Sequence, residues 1–485
     1  MVKATDSAPS TKTYIYGTAG NVKTLTDSVA GTVTGTYDTD GNLTAETLPG
    51  GYTLTRTTDT TGRETSREYA ASDGTTVLAD TAGYTVHNQQ AGHTQTDGST
   101  TRSDYTYDQA GRLTQAADTT TGGCATRAYT FDASSNRATL KTSSDDCDTS
   151  TDDTTAATTS YAYDSADRLV NTGYAYDAFG RTTVSGNTAL AYYTNDLVAS
   201  EAVGTSRNTW TLDAAGRLAV RSAQTQTDGI WNTDTTTTNH YGNASDSPAW
   251  TRTGDTISRN VTDLTGSLTV TTAGSGIVLQ LANIHGDIVV QRPVDTTVAV
   301  TVQHYDEYGN ATDTTAATAY GALGSHQRFS GTLSGLTLMG VRLYEATTGR
   351  FLSTDPVYGG NDNPYVYPAD PVNKYDLDGR KVIKKYNKNR FSCGYTSCTL
   401  KLSRKRTNDL IDLIEGGKKV ATIAAAIGAW IANVGAAAVV AIVAIVVAAG
   451  DFYQWYLAQL LKRYPRRGTK VVKPYFGVPP YAWHQ

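Results

Sequence analysis

The residues of this 485-residue chain best suited to chemistry are few and scattered. Cys124, Cys147, Cys393 and Cys398 allow three complete pairings. The spacing in SCGYTSC suits a disulfide closing a small loop, with reduced thiols as the alternative. No nearby histidine or second cysteine pair supplies the further ligands that zinc needs. Asp409, Asp412 and Glu415 stand three apart in TNDLIDLIE. That spacing allows a metal or catalytic role, but a helix capped by Thr407 or Asn408, with acids in its first turns, accounts for it. Residues 381–485 hold one histidine, His484, with no nucleophile elbow and no phosphate-cradling glycine loop. Neither a cofactor nor a metal ion is expected.

Many of the other aspartates belong to a repeat. It runs TYDTDGNL from Thr36, TTDTTGRE from Thr57, TYDQAGRL from Thr106, AYDSADRL from Ala162, AYDAFGRT from Ala175, TLDAAGRL from Thr211 and HYDEYGNA from His304. Looser copies begin at Thr130 and Val261. The consensus is an aromatic, Asp, two variable residues, Gly, then Arg or Asn. An aspartate carboxylate can accept backbone N–H groups two residues on, and the glycine takes the positive φ that a side chain opposes, so each unit closes a β-hairpin. The arginine opening the return strand can lie over a neighbouring tyrosine or pair with an aspartate. Thr/Asp-rich stretches such as the one from Thr142 read as exposed loops.

Composition agrees with this. With 45 Gly and 31 Tyr against 7 Phe and 2 Met, the chain suits half-wet strands and tight turns better than a helical core. The net charge of -5 conceals a division. Residues 1–380 carry 24 Lys+Arg against 42 Asp+Glu, whereas residues 381–485 carry 17 against 4. An acidic body can hold a basic tail by Coulomb attraction, and the tail has the charge to seek an anionic surface.

The repeats resemble the RHS/YD repeats of bacterial polymorphic toxins, insecticidal toxin-complex subunits and teneurins, over roughly residues 14 to 380. Residues 329–380 resemble the RHS-associated core. The matching elements are Gly340, Arg342 and Tyr344, then Gly349 to Ser353, Asp355-Pro356, Asn363 to Tyr367, Asp370-Pro371 and Asp376 to Gly379. The resemblance implies a mainly β fold: a YD-repeat hairpin strip over residues 1–328, wound into a full or partial RHS shell. A plug at 329–380 and a variable tail at 381–485 would follow. Relatives' shells often use several hundred more residues, so a fragment, or half of a shell closed by a partner chain, is also compatible.

The same resemblance implies aspartyl self-cleavage. Two carboxylates forced together share a proton, so one activates water while the other donates to the scissile carbonyl. Motif by motif, the pair is Asp355 and Asp376, and the cut falls between Arg380 and Lys381. Leu377 stands where the family has proline and Arg380 where it has leucine. Asp370 and Asp378 are near enough to be mistaken for partners, and the alternative is that all these acids only cap turns.

The tail centres on an uncharged run of 31 residues, Val420 to Gly450, long enough to span a bilayer as one tilted helix or two shorter ones. Lys418 and Lys419 precede it, and Trp455, Tyr456, Lys462, Arg463, Arg466 and Arg467 follow, as at a membrane interface. A small α-helical hydrophobic C-terminal domain is therefore expected, with a buried helix as the bland alternative.

Together these features predict a polymorphic-toxin-type protein whose shell stores a membrane-permeabilising tail. No turnover beyond self-cleavage is implied. The alternatives are a cell-surface adhesion protein with the run as a plain anchor, or a shell carrying a nucleic-acid-targeting tail. Expected partners are a shell-completing chain or injection machinery, a cognate immunity protein and an anionic membrane, with nucleic acid disfavoured. The start of the sequence has no apolar h-region, so secretion or surface display would use a route other than a signal peptide.

Overall fold

The computed structural model describes residues 2–8, 10–18, 20–39, 41–144, 156–274, 276–312, 318–384, 390–393, 397–402, 469–474 and 481–484, the last five strands (from residue 383) as backbone. The chain divides into two compact units, Met1–Asp59 with Glu64–Lys385, and Thr60–Arg63 with Tyr386–Gln485.

The first unit is antiparallel throughout its two large sheets. Fourteen strands from Val2–Asp6 to Ala157–Ser160 form one sheet, and thirteen from Tyr174–Tyr176 to Thr301–Val302 form the other. In both, every strand pairs with its neighbours in sequence, as expected of a hairpin strip. Among the described residues helix is limited to single 3-10 turns at Pro49–Gly51 and Gly324–His326.

The repeat makes its turns as its residue types dictate. Asp108 N–H donates to the Arg112 carbonyl at 3.0 Å, and Gly111 N–H donates back to Asp108 O at 2.9 Å with φ at +76°. Asp108 Oδ1 accepts the Arg112 backbone N–H at 2.9 Å, and Oδ2 accepts Arg112 Nε at 2.7 Å. The arrangement recurs at Asp164, Asp177 and Asp213 with arginine, and at Asp38, Asp132 and Asp306 with asparagine. Hence the consensus accepts Arg or Asn: either carries a side-chain N–H that reaches back to the second carboxylate oxygen. The tyrosine before the aspartate ties the turn to a neighbouring hairpin, Tyr107 Oη donating to Gln90 O and Tyr37 Oη to Val22 O, both at 2.7 Å. Arg217 lies 4.0 Å from the centroid of the Tyr241 ring, so the arginines both pair and stack.

The two sheets share one apolar core. Leu25, Val33, Leu54, Tyr69 and Leu78 of the first pack with Val261, Val270, Leu279, Leu281 and Val289 of the second. Polar contacts link the segments flanking them as well: Arg127 Nη2 meets the buried Glu307 Oε2 at 2.8 Å, and His304 Nε2 meets Asp97 Oδ2 at 2.8 Å. Burying the Arg127 and Glu307 charges is tolerable because they are paired and hydrogen-bonded.

Residues 329–380 pack on both sheets. Leu336, Leu343 and Leu352 join Leu190, Val198 and Trp210 of the second sheet, while Val372 joins Leu113 and Tyr129 of the first. Thr182 N–H donates to Leu352 O and Leu113 N–H to Ala369 O, both at 2.8 Å. The marker motif is thus hydrogen-bonded to turn-flanking repeat residues.

In the second unit the described residues form a four-stranded antiparallel sheet: Arg390–Cys393, Ser397–Leu402, Thr469–Pro474 and Tyr481–His484. Strands at both ends of the tail are a finding that the apolar pattern did not anticipate. Cys393 and Cys398 are register partners there. Cys124 is held in a disulfide. The expected helix at 420–450 lies outside the described residues, and among those described no helix is long and apolar enough to cross a membrane.

Candidate functional site

Asp376 follows the strand Lys374–Tyr375, which pairs with Ile383–Lys384 so that Tyr375 faces Ile383. Residues 376–382 are therefore a hairpin loop. Asp376 Oδ1 gathers that loop, accepting the Arg380 N–H at 2.9 Å and the Lys381 N–H at 2.8 Å. This resembles the repeat's own turn, but the second oxygen departs from it. In the repeats that oxygen takes a side chain of the same turn, whereas Asp376 Oδ2 accepts Arg342 Nη2 at 2.9 Å and Asn361 Nδ2 at 2.8 Å.

Asp355 occupies a neighbouring turn. Its Oδ1 accepts the Val357 N–H at 2.8 Å, and its own N–H donates to Pro364 O. Its Oδ2 accepts the same two donors, Arg342 Nη2 at 3.0 Å and Asn361 Nδ2 at 3.0 Å. Asp355 and Asp376 thus lie together, bridged by one guanidinium and one carboxamide. Asp376 is fully buried and the side chains of Arg342 and Asp355 nearly so.

The predicted scissile bond lies against this pair. The Asp378 carbonyl accepts the Val341 N–H at 3.1 Å, Arg328 Nη1 donates to Leu377 O at 2.6 Å, and Val382 N–H donates to Gly360 O at 3.2 Å. A Cβ at Gly360 would collide with the Arg380 carbonyl oxygen and stand 2.8 Å from Asp355 Oδ2, so only glycine admits that carbonyl beside that carboxylate. Arg380 and Asp378 border a cavity of about 1000 Å³ that also reaches Arg328 and Asp246.

Burial acts on the charged groups of the site. Burial pushes the Asp355 carboxyl above its ordinary range, with Arg342 pulling the other way. Asp378 is pushed up to about 6, by desolvation first and then by the hydrogen bond and charge of Asp376. Burial lowers the Arg342 guanidinium against the pull of both carboxylates. Asp370 sits elsewhere, capping its own turn through Asn373 Nδ2 at 2.7 Å and accepting Gln89 Nε2 at 3.3 Å. Sequence reading quoted Arg342 only as a marker and passed over Asn361. The signal available for Asn361 was its place just after the Gly359-Gly360 pair that follows Asp355. No cluster of metal-ligating side chains occurs among the described residues.

Fold and site define an RHS/YD-repeat protein. The family model described as teneurin YD-shell matches residues 50–364, and the chain belongs to that family. No curated protein sequence matches it. Among solved structures it is similar to the TcdB2-TccC3-Cdc42 crystal structure, at 16% identity and a TM-score of 0.64, covering 78% of this chain and 21% of that one. It is likewise similar to the Tc holotoxin pore of Photorhabdus luminescens with a TccC3 mutation, at 15% identity and a TM-score of 0.64, covering 79% and 21%. The chain spans about a fifth of the length of these structures' chains, and the likeness is one of fold.

Proposed function

We propose that this chain is a toxin-type YD shell that cuts itself between Arg380 and Lys381, separating a basic C-terminal effector from the repeat body. The observation that carries this reading is the position of Asp376. One carboxylate oxygen holds the N–H groups on both sides of that peptide link's carbonyl, while the other shares two donors with Asp355.

In the proposed step, Asp376 takes a proton from a water whose oxygen attacks the Arg380 carbonyl carbon. Asp355, whose pKa burial raises, is the acid of this step and donates a proton to the carbonyl oxygen. The tetrahedral carbon then expels the Lys381 nitrogen, which receives the proton Asp376 took up, and Asp355 regains its own. A carboxyl group at Arg380 and an amino terminus at Lys381 result.

The toxin-complex structures similar to this chain contain partner chains, and the two large sheets here end in edge strands, so a shell-completing partner belongs to the same proposal. The released segment, with its excess of positive charge and its apolar run, is suited to anionic membranes. A secreted or surface-displayed location and an immunity partner follow from that reading.

The test is purification of the chain beside its Asp376→Asn variant. Two fragments from the first, one starting at Lys381, and one intact chain from the second are expected. An uncut wild-type chain across pH 4 to 8, or identical cutting of the variant, would remove the proposal.

A further inference from the structure

Asn361 does more at this site than fill space. Its Nδ2 donates to Asp355 Oδ2 at 3.0 Å and to Asp376 Oδ2 at 2.8 Å, so both donor hydrogens are committed to the carboxylate pair. That commitment fixes the orientation of the carboxamide, because reversing it would set an oxygen against two carboxylate oxygens. The Oδ1 atom is then left buried with no hydrogen-bond partner. A buried carbonyl-type oxygen without a donor loses the hydrogen bonds it would make to water.

The second side chain gripping the pair has a matching deficit. Arg342, 3% exposed, gives Nη2 to both aspartates and Nη1 to Pro364 O at 3.0 Å, and its face lies 3.7 Å from the centroid of the Phe351 ring. Its Nε–H is buried and unpartnered. One unmet acceptor and one unmet donor thus occur on the two groups that hold the carboxylates. Among the buried side-chain atoms without a partner, these two belong to the aspartate site. Polar atoms of this kind are what an ordered, chemically useful water requires.

We infer that Asn361 is a positioning residue for the cleavage step, its Oδ1 accepting a hydrogen from the attacking water while its Nδ2 keeps the two carboxylates in register. The inference rests on the self-cleavage reading and adds to it the residue that orients the nucleophile. Asp376 removes the other hydrogen of the same water, so the oxygen lone pair is directed at the Arg380 carbonyl carbon. Arg342 holds the two carboxyl groups together through Nη2 and presents Nε–H on the same side chain.

The experiment follows cleavage of the full chain over time at several pH values, with thermal melting as a check on folding. Asn361→Ala removes both the acceptor and the clamp, and is expected to slow cleavage by about a hundredfold, the scale of a misplaced reactant. Asn361→Asp keeps the shape and packing but sets a third carboxylate beside two others. It is expected to raise the pH range over which cleavage proceeds, because like charges favour the protonated forms. A wild-type rate with an unchanged pH profile in both variants would overturn the inference, as would slowing that simply follows a lost melting transition in both. A wild-type chain that never cuts ends the cleavage reading and this one together. Cutting that needs Asp376 but ignores both Asn361 changes ends this one alone.

Discussion

Arg56 and Asp263, 207 positions apart in sequence, meet at 2.7 Å between the two large sheets, with Glu46 on the other arm of the same guanidinium. The side chains of both acids are essentially inaccessible to water. Leu264 N–H also donates to Glu46 at 2.8 Å, and the Thr265 and Ser267 N–H groups donate to Asp263, so Arg56 is the cation shared by two acids that backbone groups also hold.

Removing that cation is predicted to be severe. Arg56→Ala leaves two adjacent buried carboxylates uncompensated, and breaking such a network from one side costs about 3–5 kcal/mol. Chemical denaturation should register that loss. A much smaller cost is expected for Glu46→Gln, which removes a charge that burial and Asp263 already oppose. Equal effects of the two changes would contradict the account.

Glu201 carries a pH prediction. It is buried, accepts from Asn208 Nδ2 at 3.2 Å and from the Leu333 N–H, and leaves Oε2 unpartnered. Burial raises its pKa above the ordinary carboxylate range. An acid whose folded pKa lies above its unfolded value binds more protons when folded, so its contribution to stability falls as pH rises from the unfolded pKa through the folded one. Glu201→Gln should therefore gain on the wild type in melting temperature as pH rises from about 4 towards 7, the unfolded pKa being about 4.3. A constant difference across that range would show that Glu201 does not titrate this way.

The arginine-paired turn aspartates Asp108, Asp164, Asp177 and Asp213 act in the opposite direction. At Asp213 the backbone N–H of Arg217 is the main influence, and the carboxyl is held below its usual range. Its folded pKa is depressed, so the stability it supplies is present above about pH 4, its unfolded pKa, and is lost as pH falls through the folded value. Replacing Asp213 with asparagine should make melting less sensitive to acid below about pH 4. A melting curve that keeps the full acid sensitivity of the wild type would refute this.

Gly360 separates geometry from charge at the candidate site. Its backbone does not require glycine, but a Cβ would collide with the Arg380 carbonyl oxygen. Gly360→Ala should leave both aspartates ionisable and the repeat body folded, yet suppress the appearance of a fragment beginning at Lys381. Gel analysis of the purified variant checks this, and undiminished cutting would place the scissile bond elsewhere.

The tail prediction concerns membranes. If the basic segment permeabilises anionic bilayers, the chain or its released fragment should empty dye-loaded vesicles containing anionic lipid and spare neutral ones. An anchor would bind without leakage, and activity on DNA or RNA would instead favour the nucleic-acid reading.

Local residue types were sufficient to read the repeat. Asp, Gly and Arg or Asn make their hydrogen bonds within five residues, so Asp108 to Arg112 closes its turn whatever lies around it, and the strip of sequential hairpins follows. The pair Asp355 and Asp376 could be named from motif resemblance because each stands at the head of its own turn. What joins them could not: Arg342 and Asn361 reach both carboxylates only after three separate loops fold together, and a hydrogen bond across such distances leaves no periodic trace in the chain. The same holds for Arg56 with Asp263 and Arg127 with Glu307, whose partners are set by how two sheets face each other. Short-range geometry is written in neighbouring residue types, whereas the pairing of buried charges depends on which surfaces the folded chain brings into contact.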